Sequence, residues 1–247
     1  MDFDLFSRMP RVLDVPFYEG SIQDLVREIM RISLEEKQTT REDGEIQKRT
    51  RNRCVSAADA HVLIQADKDP EYKKLLNKFF LNLPDGMPIV WIARRKGFKN
   101  MQRCYGPDLF EMLMRKSANT ILTHFLCGGK EGVAEELKVV CEKRFENHNI
   151  VGTYCPPFKE IEETEMQLLG ETIGKSKADI IWIGLGAPKQ EKFAAALSKY
   201  TDVAFIFTIG AAFDFYTNRQ KQAPRWMQQT GFEWLFRLLM EPKRLGK

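Results

Sequence analysis

Paired cysteines, long apolar runs and cofactor fingerprints are all scarce in this sequence, and each shortage narrows what the chain can be. Its five cysteines (Cys54, Cys104, Cys127, Cys141, Cys155) stand apart with no CxxC spacing. That argues against a zinc site or a disulfide framework and suits a reducing cytoplasm. The longest apolar stretches, 180–188 and 203–213, fall short of the roughly 18 residues a bilayer crossing needs. The first ten residues carry acids and no apolar h-region, so the expectation is a protein neither secreted nor membrane-spanning. No dinucleotide fingerprint follows the early strands, and Gly128-Gly129-Lys130-Glu131 is neither a Walker A loop nor a GxGxxG turn. Asp-x-Asp triplets occur at Asp2-Phe3-Asp4 at the terminus and at Asp67-Lys68-Asp69 between two expected helices, neither at the end of an expected strand, so a metal-bridged diphosphate has no obvious ligands. His61, His124 and His148 are isolated, which suits core or surface roles better than metal ligation.

What is present is an ordinary soluble composition, with 247 residues that fit one large domain, alone or with an appendage. The net charge of +4 is unevenly placed. Residues 219–247 hold seven basic and two acidic side chains, a net of +5, leaving 31 basic and 32 acidic elsewhere. A nearly neutral body with a basic tail points to an anionic surface met by the tail, a membrane rather than a nucleic acid.

The stretch from Asp179 to Gln190 organises the rest. Ile180 to Ile183 has no polar face and suits a central strand covered on both sides. Gly184 and Gly186 then end it, Pro188 fits the first turn of a new helix, and Glu191 to Lys199 continues with helix formers. Elsewhere the spacing predicts a short strand over Val12 to Pro16 and an amphipathic helix capped by Ser21, with Leu25, Ile29 and Ile32 on one face. Glu35 to Arg53, six basic and five acidic residues without apolar periodicity, reads as a mobile loop. Further strands are expected at 54–57, 121–127, 150–155 and 203–209. Helices are expected at 61–66 and 71–80 with a break at Pro70, at 89–95, at 109–115 capped by Asp108, at 133–145 and at 162–175. Leu81 to Pro88, centred on Pro84-Asp85-Gly86, reads as a turn holding one carboxylate between ordered elements. Strands alternating with helices, without repeats, predict an α/β fold with a Rossmann-like parallel sheet flanked by helices.

Function is then expected along the carboxyl edge of that sheet, where free amides and helix dipoles favour phosphates. The turns at 127–132, 184–191 and 210–214 should converge there, although each alone is also compatible with plain chain reversal. Asp85 is read either as a turn residue bonding its own backbone or as a catalytic carboxylate. Lys189-Gln190-Glu191 brings an amide and a carboxylate to the edge, and Glu191 also suits the first-turn dipole. In the tail, Trp226, Phe232, Trp234, Leu235, Leu238 and Leu239 alternate with Arg225, Arg237, Lys243 and Arg244. That pattern fits a packed terminal helix and equally a helix lying in a membrane interface.

Taken together and in order, a set of motifs resembles the WecG/TagA/CpsF glycosyltransferases from about Val12 to Pro242. The set comprises Pro84-Asp85-Gly86, Arg103 with Gly106 and Asp108, Gly128-Gly129, Gly186-Ala187-Pro188-Lys189-Gln190-Glu191, Gly210 with Phe213-Asp214, Lys221 with Ala223-Pro224, and Gly231 to Leu238. The resemblance implies an inverting enzyme, working without metal or cofactor, that moves a sugar from a UDP-sugar to a polyprenyl-diphosphate-linked sugar at the cytoplasmic membrane face. It implies Asp85 as general base and Arg103 as a cation for phosphate or the intermediate. It also implies substrate contacts at Asp59, Gly128, Gly129, Lys130, Gly186, Gln190, Glu191, Phe213 and Asp214. Lipid-diphosphate or membrane contacts fall to Arg225, Trp234, Arg237, Lys243 and Arg244. The chain departs from the family where a Thr-x-Asn segment is usual: it reads Ala57-Ala58-Asp59. The expected layout is a catalytic domain over 1–218 and a membrane-proximal appendage over 219–247. Assembly into a homo-oligomer stays open. The rival reading is a nucleotide-binding module without transferase activity.

Overall fold

A computed structural model describes residues 9–42, 51–157 and 161–240. The chain opens with a small antiparallel hairpin, β1 (Arg11–Val12) and β2 (Val15–Pro16), and the helix α1 (Ile22–Glu42). Then follow β3 (Arg53–Ala58), α2 (Ala60–Lys68), α3 (Pro70–Lys78), β4 (Leu81–Pro84), α4 (Met87–Arg95), α5 (Gly106–Ser117), β5 (His124–Gly128) and α6 (Val133–Phe145). The second half runs β6 (Ile150–Tyr154), α7 (Glu163–Ser176), β7 (Ile180–Gly184), α8 (Lys189–Leu197), β8 (Phe205–Thr208), α9 (Ala212–Tyr216), α10 (Arg225–Gln229) and α11 (Glu233–Met240).

Strands β3 to β8 pair in parallel as one sheet, in the order β4-β3-β8-β7-β5-β6. The expected α/β architecture is therefore present, and β7 is a central strand with all five residues buried. One face is covered by α1, α5, α6 and α9, the other by α3, α7 and α8. On the first face Trp182 anchors the core, stacked on Phe207 at 4.6 Å and meeting Phe110 edge-on at 4.9 Å between ring centroids.

Three local expectations are corrected. Residues 35–42 are not loop but the end of α1, whose Ser21 cap accepts the Asp24 amide at 3.1 Å. The charges there are spent on the sheet's amino edge. Lys37 Nζ reaches Asp179 Oδ2 at 2.7 Å, and Arg53, itself in β3, reaches Glu36 at 2.9 Å, all four side chains largely buried. Residues 43–50 of the expected loop lie outside the described residues. Second, Leu81–Pro84 is a fully buried strand rather than the flank of a turn. Asn82, a poor strand former, is held by amide bonds to the Pro16 and Leu76 carbonyls at 3.1 and 3.0 Å, and Pro84 sits at the strand's end on a sheet edge, where a missing N–H is tolerated. Third, α5 begins at Gly106, which places Asp108 inside the first turn and not at the cap.

The amino edge also holds a buried neutral histidine. His124 Nδ1 accepts the Trp182 indole N–H at 3.2 Å and its Nε2 lies 2.7 Å from Ser117 Oγ. Burial, reinforced by the nearby Lys37 charge, pushes its pKa down to about 3. Unfolded, the imidazole titrates near 6.5. Between those values only the unfolded chain takes the proton, so stability is complete above the upper one and falls as pH drops, by up to about 1.4 kcal/mol per pH unit. Urea unfolding at pH 7 and pH 5 should show this loss, and His124→Phe, though weaker at pH 7, should show a shallower pH slope. Equal slopes would refute the assignment.

Candidate active site

The carboxyl edge is built around two openings. Past β5 the chain turns to the α6 face, and past β7 to the α8 face, so a crevice opens between the two strand ends. Glycine makes it narrow. Gly129 N donates to Gly184 O at 2.8 Å, and a Cβ on Gly128 (φ 143°) would lie 2.5 Å from that same oxygen. Here α6 follows Gly132 without a side-chain cap; the Val133 amide is taken by Lys130 O at 3.0 Å, the next amides of the first turn have no side-chain cap, and Lys130 stands exposed beside them. Gly186, with φ 76°, has open space where a Cβ would be.

The floor between this crevice and β8 is polar but closed. Gly210 N donates to Gln190 Oε1 at 3.0 Å, and Gln190 Nε2 donates to Glu191 Oε1 at 2.8 Å. Ser56 of β3 and Thr208 of β8 also donate to Oε1, at 3.1 and 3.0 Å, while the Tyr72 hydroxyl of α3 donates to Oε2 at 3.0 Å. Burial raises the Glu191 pKa above the usual carboxylate value, and the Gln190, Tyr72 and Thr208 donors offset only part of that rise. The turns at 127–132, 184–191 and 210–214 do converge. Yet Glu191 is 0 % exposed, Phe213 1 % and Gln190 2 %. Phe213 packs under Gly184, and Gln190 and Glu191 brace the Gly210 turn. Asp214 remains at the partly exposed start of α9.

The second opening lies at the ends of β4, β3 and β8. Asp85 N donates to Ala58 O at 3.1 Å, and Asp85 Oδ1 accepts the Gly106 amide at the start of α5 at 2.6 Å. A Cβ on Gly106 would lie 3.1 Å from the Ala57 methyl and 3.5 Å from Ile209 O, so the carboxylate faces the mouth between three strands. Burial lifts the Asp85 pKa to about 6, against the opposing pull of Arg103 and the Gly106 amide; Asp59 and Glu233 add to the rise. Arg103 donates from Nε to the Asp85 carbonyl and lies over the Tyr105 ring at 4.0 Å. Its other nitrogens are engaged too, Nη1 with Gln228 O at 3.3 Å and Nη2 with Glu233 Oε2 at 2.6 Å. Asp59 caps α2, its carboxylate accepting the Val62 amide at 3.0 Å.

Sequence reasoning missed Ser56, Tyr72, Tyr105, Thr208 and Glu233. Ser56 and Thr208 carried a signal, as lone hydroxyls in otherwise apolar strands. At the C-terminal end, Arg225 is exposed, as are Trp226 (61 %), Trp234 (59 %) and Leu239 (71 %). The Arg237 side chain and all of Lys243 and Arg244 lie outside what is described. Among the described residues no helix is long and apolar enough to cross a membrane.

The model of the Glycosyl transferase WecG/TagA/CpsF family matches residues 11–247. The chain belongs to that family. A WecG/TagA/CpsF glycosyltransferase handles a sugar donor and an acceptor, and this member offers a glycine-lined crevice and a carboxylate mouth on one sheet edge. Its departure at Asp59 has a clear local consequence, because Asp and Asn cap helices about equally well. Asp59→Asn should therefore leave the thermal midpoint within a degree or two, whereas Asp59→Ala should lose about 1 kcal/mol on denaturant unfolding. A large loss in the Asn variant would show that the carboxylate, and not the cap, is what the fold needs.

Proposed function

We propose that this glycosyltransferase moves a sugar from a UDP-sugar to a polyprenyl-diphosphate-linked acceptor by single displacement, with Asp85 as the general base. The observation that carries the reading is a carboxyl group lifted to about 6, seated at the mouth of the sheet edge beside Arg103. A base poised near neutrality combines an ionised form with useful proton affinity. The acceptor hydroxyl oxygen attacks the anomeric carbon opposite the UDP group and gives its proton to Asp85. The bond to the diphosphate oxygen breaks with its electron pair, and configuration inverts. UDP sits in the crevice between 127–132, 184–191 and 210–214, where the positive end of the α6 dipole and Lys130 meet the developing negative charge. Arg103 is the cation that joins the helix amides in stabilising the leaving group. N-acetylmannosamine, its uronic acid and a hexose are the candidate sugars.

Residues 219–247 form the membrane-proximal appendage in this reading, bringing the base to the inner membrane face of the cytoplasm. Trp226, Trp234 and Leu239 supply an interfacial anchor and the net charge of +5 supplies attraction to anionic lipid. Arg225, Arg237, Lys243 and Arg244 are the candidates for the lipid diphosphate. The Ala57 and Asp59 departure favours one alternative, a nucleotide-binding module without transferase activity.

Asp85→Asn should keep UDP binding and lose turnover by roughly 100-fold or more. In the wild type, kcat/KM should rise with pH through about 6 as the base ionises. A fully active Asp85→Asn enzyme would remove Asp85 from the role, and UDP binding without any transfer across a donor panel would favour the alternative. Replacing Trp226, Trp234 and Leu239 together by Glu should abolish sedimentation with phosphatidylserine vesicles, and the wild-type protein should itself release at high salt. Sedimentation unchanged by the triple replacement would move the membrane contact elsewhere.

A further inference from the structure

The C-terminal segment does more than present apolar side chains, because one of its carboxylates reaches back to the mouth. Glu233, the first residue of α11, pairs with Arg103 Nη2 at 2.6 Å and accepts the Tyr105 hydroxyl at 3.3 Å, with both members of the ion pair about 15 % exposed (15 % and 14 %). Arg103 is at the same moment bonded to the Asp85 carbonyl and the Gln228 carbonyl, and lies over Tyr105. A guanidinium offers five donors in one plane, so fixing one edge on Glu233 fixes the edge turned to Asp85. Gly231 adds a steric dock, since a Cβ there would lie 2.4 Å from the Trp91 ring.

We propose that Glu233 is a positioning residue for Asp85: its ion pair holds Arg103 against the Asp85 peptide and moderates the positive charge that the Asp85 carboxylate meets. This rests on the reading of Asp85 as the base and adds to it a residue from the far end of the chain. The direction of its effect follows from charge. Facing Asp85 are Arg103, Cys104 and the Gly106 amide from the segment entering α5, Asp59 from the start of α2, and Glu233 from α11. Asp59 and Glu233 favour the protonated carboxyl, while Arg103 and the amide favour the carboxylate. Neutralising Glu233 removes one acid and frees the cation, so both changes lower the proton affinity of Asp85.

The test uses the full chain with Glu233→Gln, which keeps an acceptor for Arg103 but no charge, and Glu233→Asp, which keeps the charge. Carbon-13 NMR of the Asp85 carboxyl should titrate lower in Glu233→Gln by about half a pH unit or more, and near the wild-type value in Glu233→Asp. The acidic limb of kcat/KM should move with it, raising activity relative to the plateau about threefold at pH 5. A residue that only packed the helix would leave both titrations in place, so an unmoved Asp85 in the folded Gln variant overturns the proposal. If the NMR titration moves and the kinetic limb does not, Glu233 acts as proposed and it is Asp85 that is not the base.

Discussion

The carboxylate of Glu191 is the constraint on which the carboxyl edge depends. It accepts hydrogen bonds from one residue on each of β3, β8 and α3, and from its own neighbour on α8. A buried carboxylate with four donors is tolerable only while all four stay in place, since losing a partner to a buried charged group costs on the order of 1.5–3 kcal/mol. The arrangement therefore fixes the start of α8 relative to two strands, and Gln190 passes that position on to the Gly210 turn. The crevice next to it is set by a steric limit instead: Gly128 lies against the Gly184 backbone and Gly184 against the Phe213 ring, so neither has room for a side chain.

From this follows a division of labour along one edge. At the β5 and β7 ends there is glycine backbone, a helix start without a side-chain cap and a lysine, a surface that attracts negative charge. At the β4 end there are three acids, Asp85, Asp59 and Glu233, and an arginine already occupied. An anionic group is drawn to the first region and a proton to the second. That is the polarity a displacement needs when its leaving group is a diphosphate and its nucleophile a hydroxyl.

Much of the fold was legible because parallel strands buried on both faces are continuous apolar runs, and 180–184 and 133–145 stand in the structure nearly as the periodicity placed them. Two elements were hidden by their chemistry. Leu81–Pro84 contains Asn and Pro, which propensity assigns to turns, and only the tertiary bonds of Asn82 make it a strand. The end of α1 is polar because Glu36 and Lys37 face buried charges on the sheet, a pairing between residues 17 and 142 positions apart that no local pattern reveals. At the site, Asp85 stood out through its turn, but Glu233 did not. Its meaning depends on Arg103, 130 positions earlier.

That pairing also bears on how a membrane-facing segment can serve chemistry. Trp226, Trp234 and Leu239 point outward, while Glu233 and the Gln228 carbonyl, on the same short stretch of chain, turn inward to Arg103. In the proposed reading the lipid-seeking and proton-accepting groups are joined through the Arg103 guanidinium and not by a flexible linker. In that reading a surface that gathers the aromatic side chains also acts on the sheet edge, since α10 and α11 hold the arginine that is bonded to the Asp85 peptide. On the same proposal, attraction of the +5 segment to anionic lipid supplies direction as well as affinity, because the charge that draws the segment to the bilayer lies on the stretch of chain that holds Arg103.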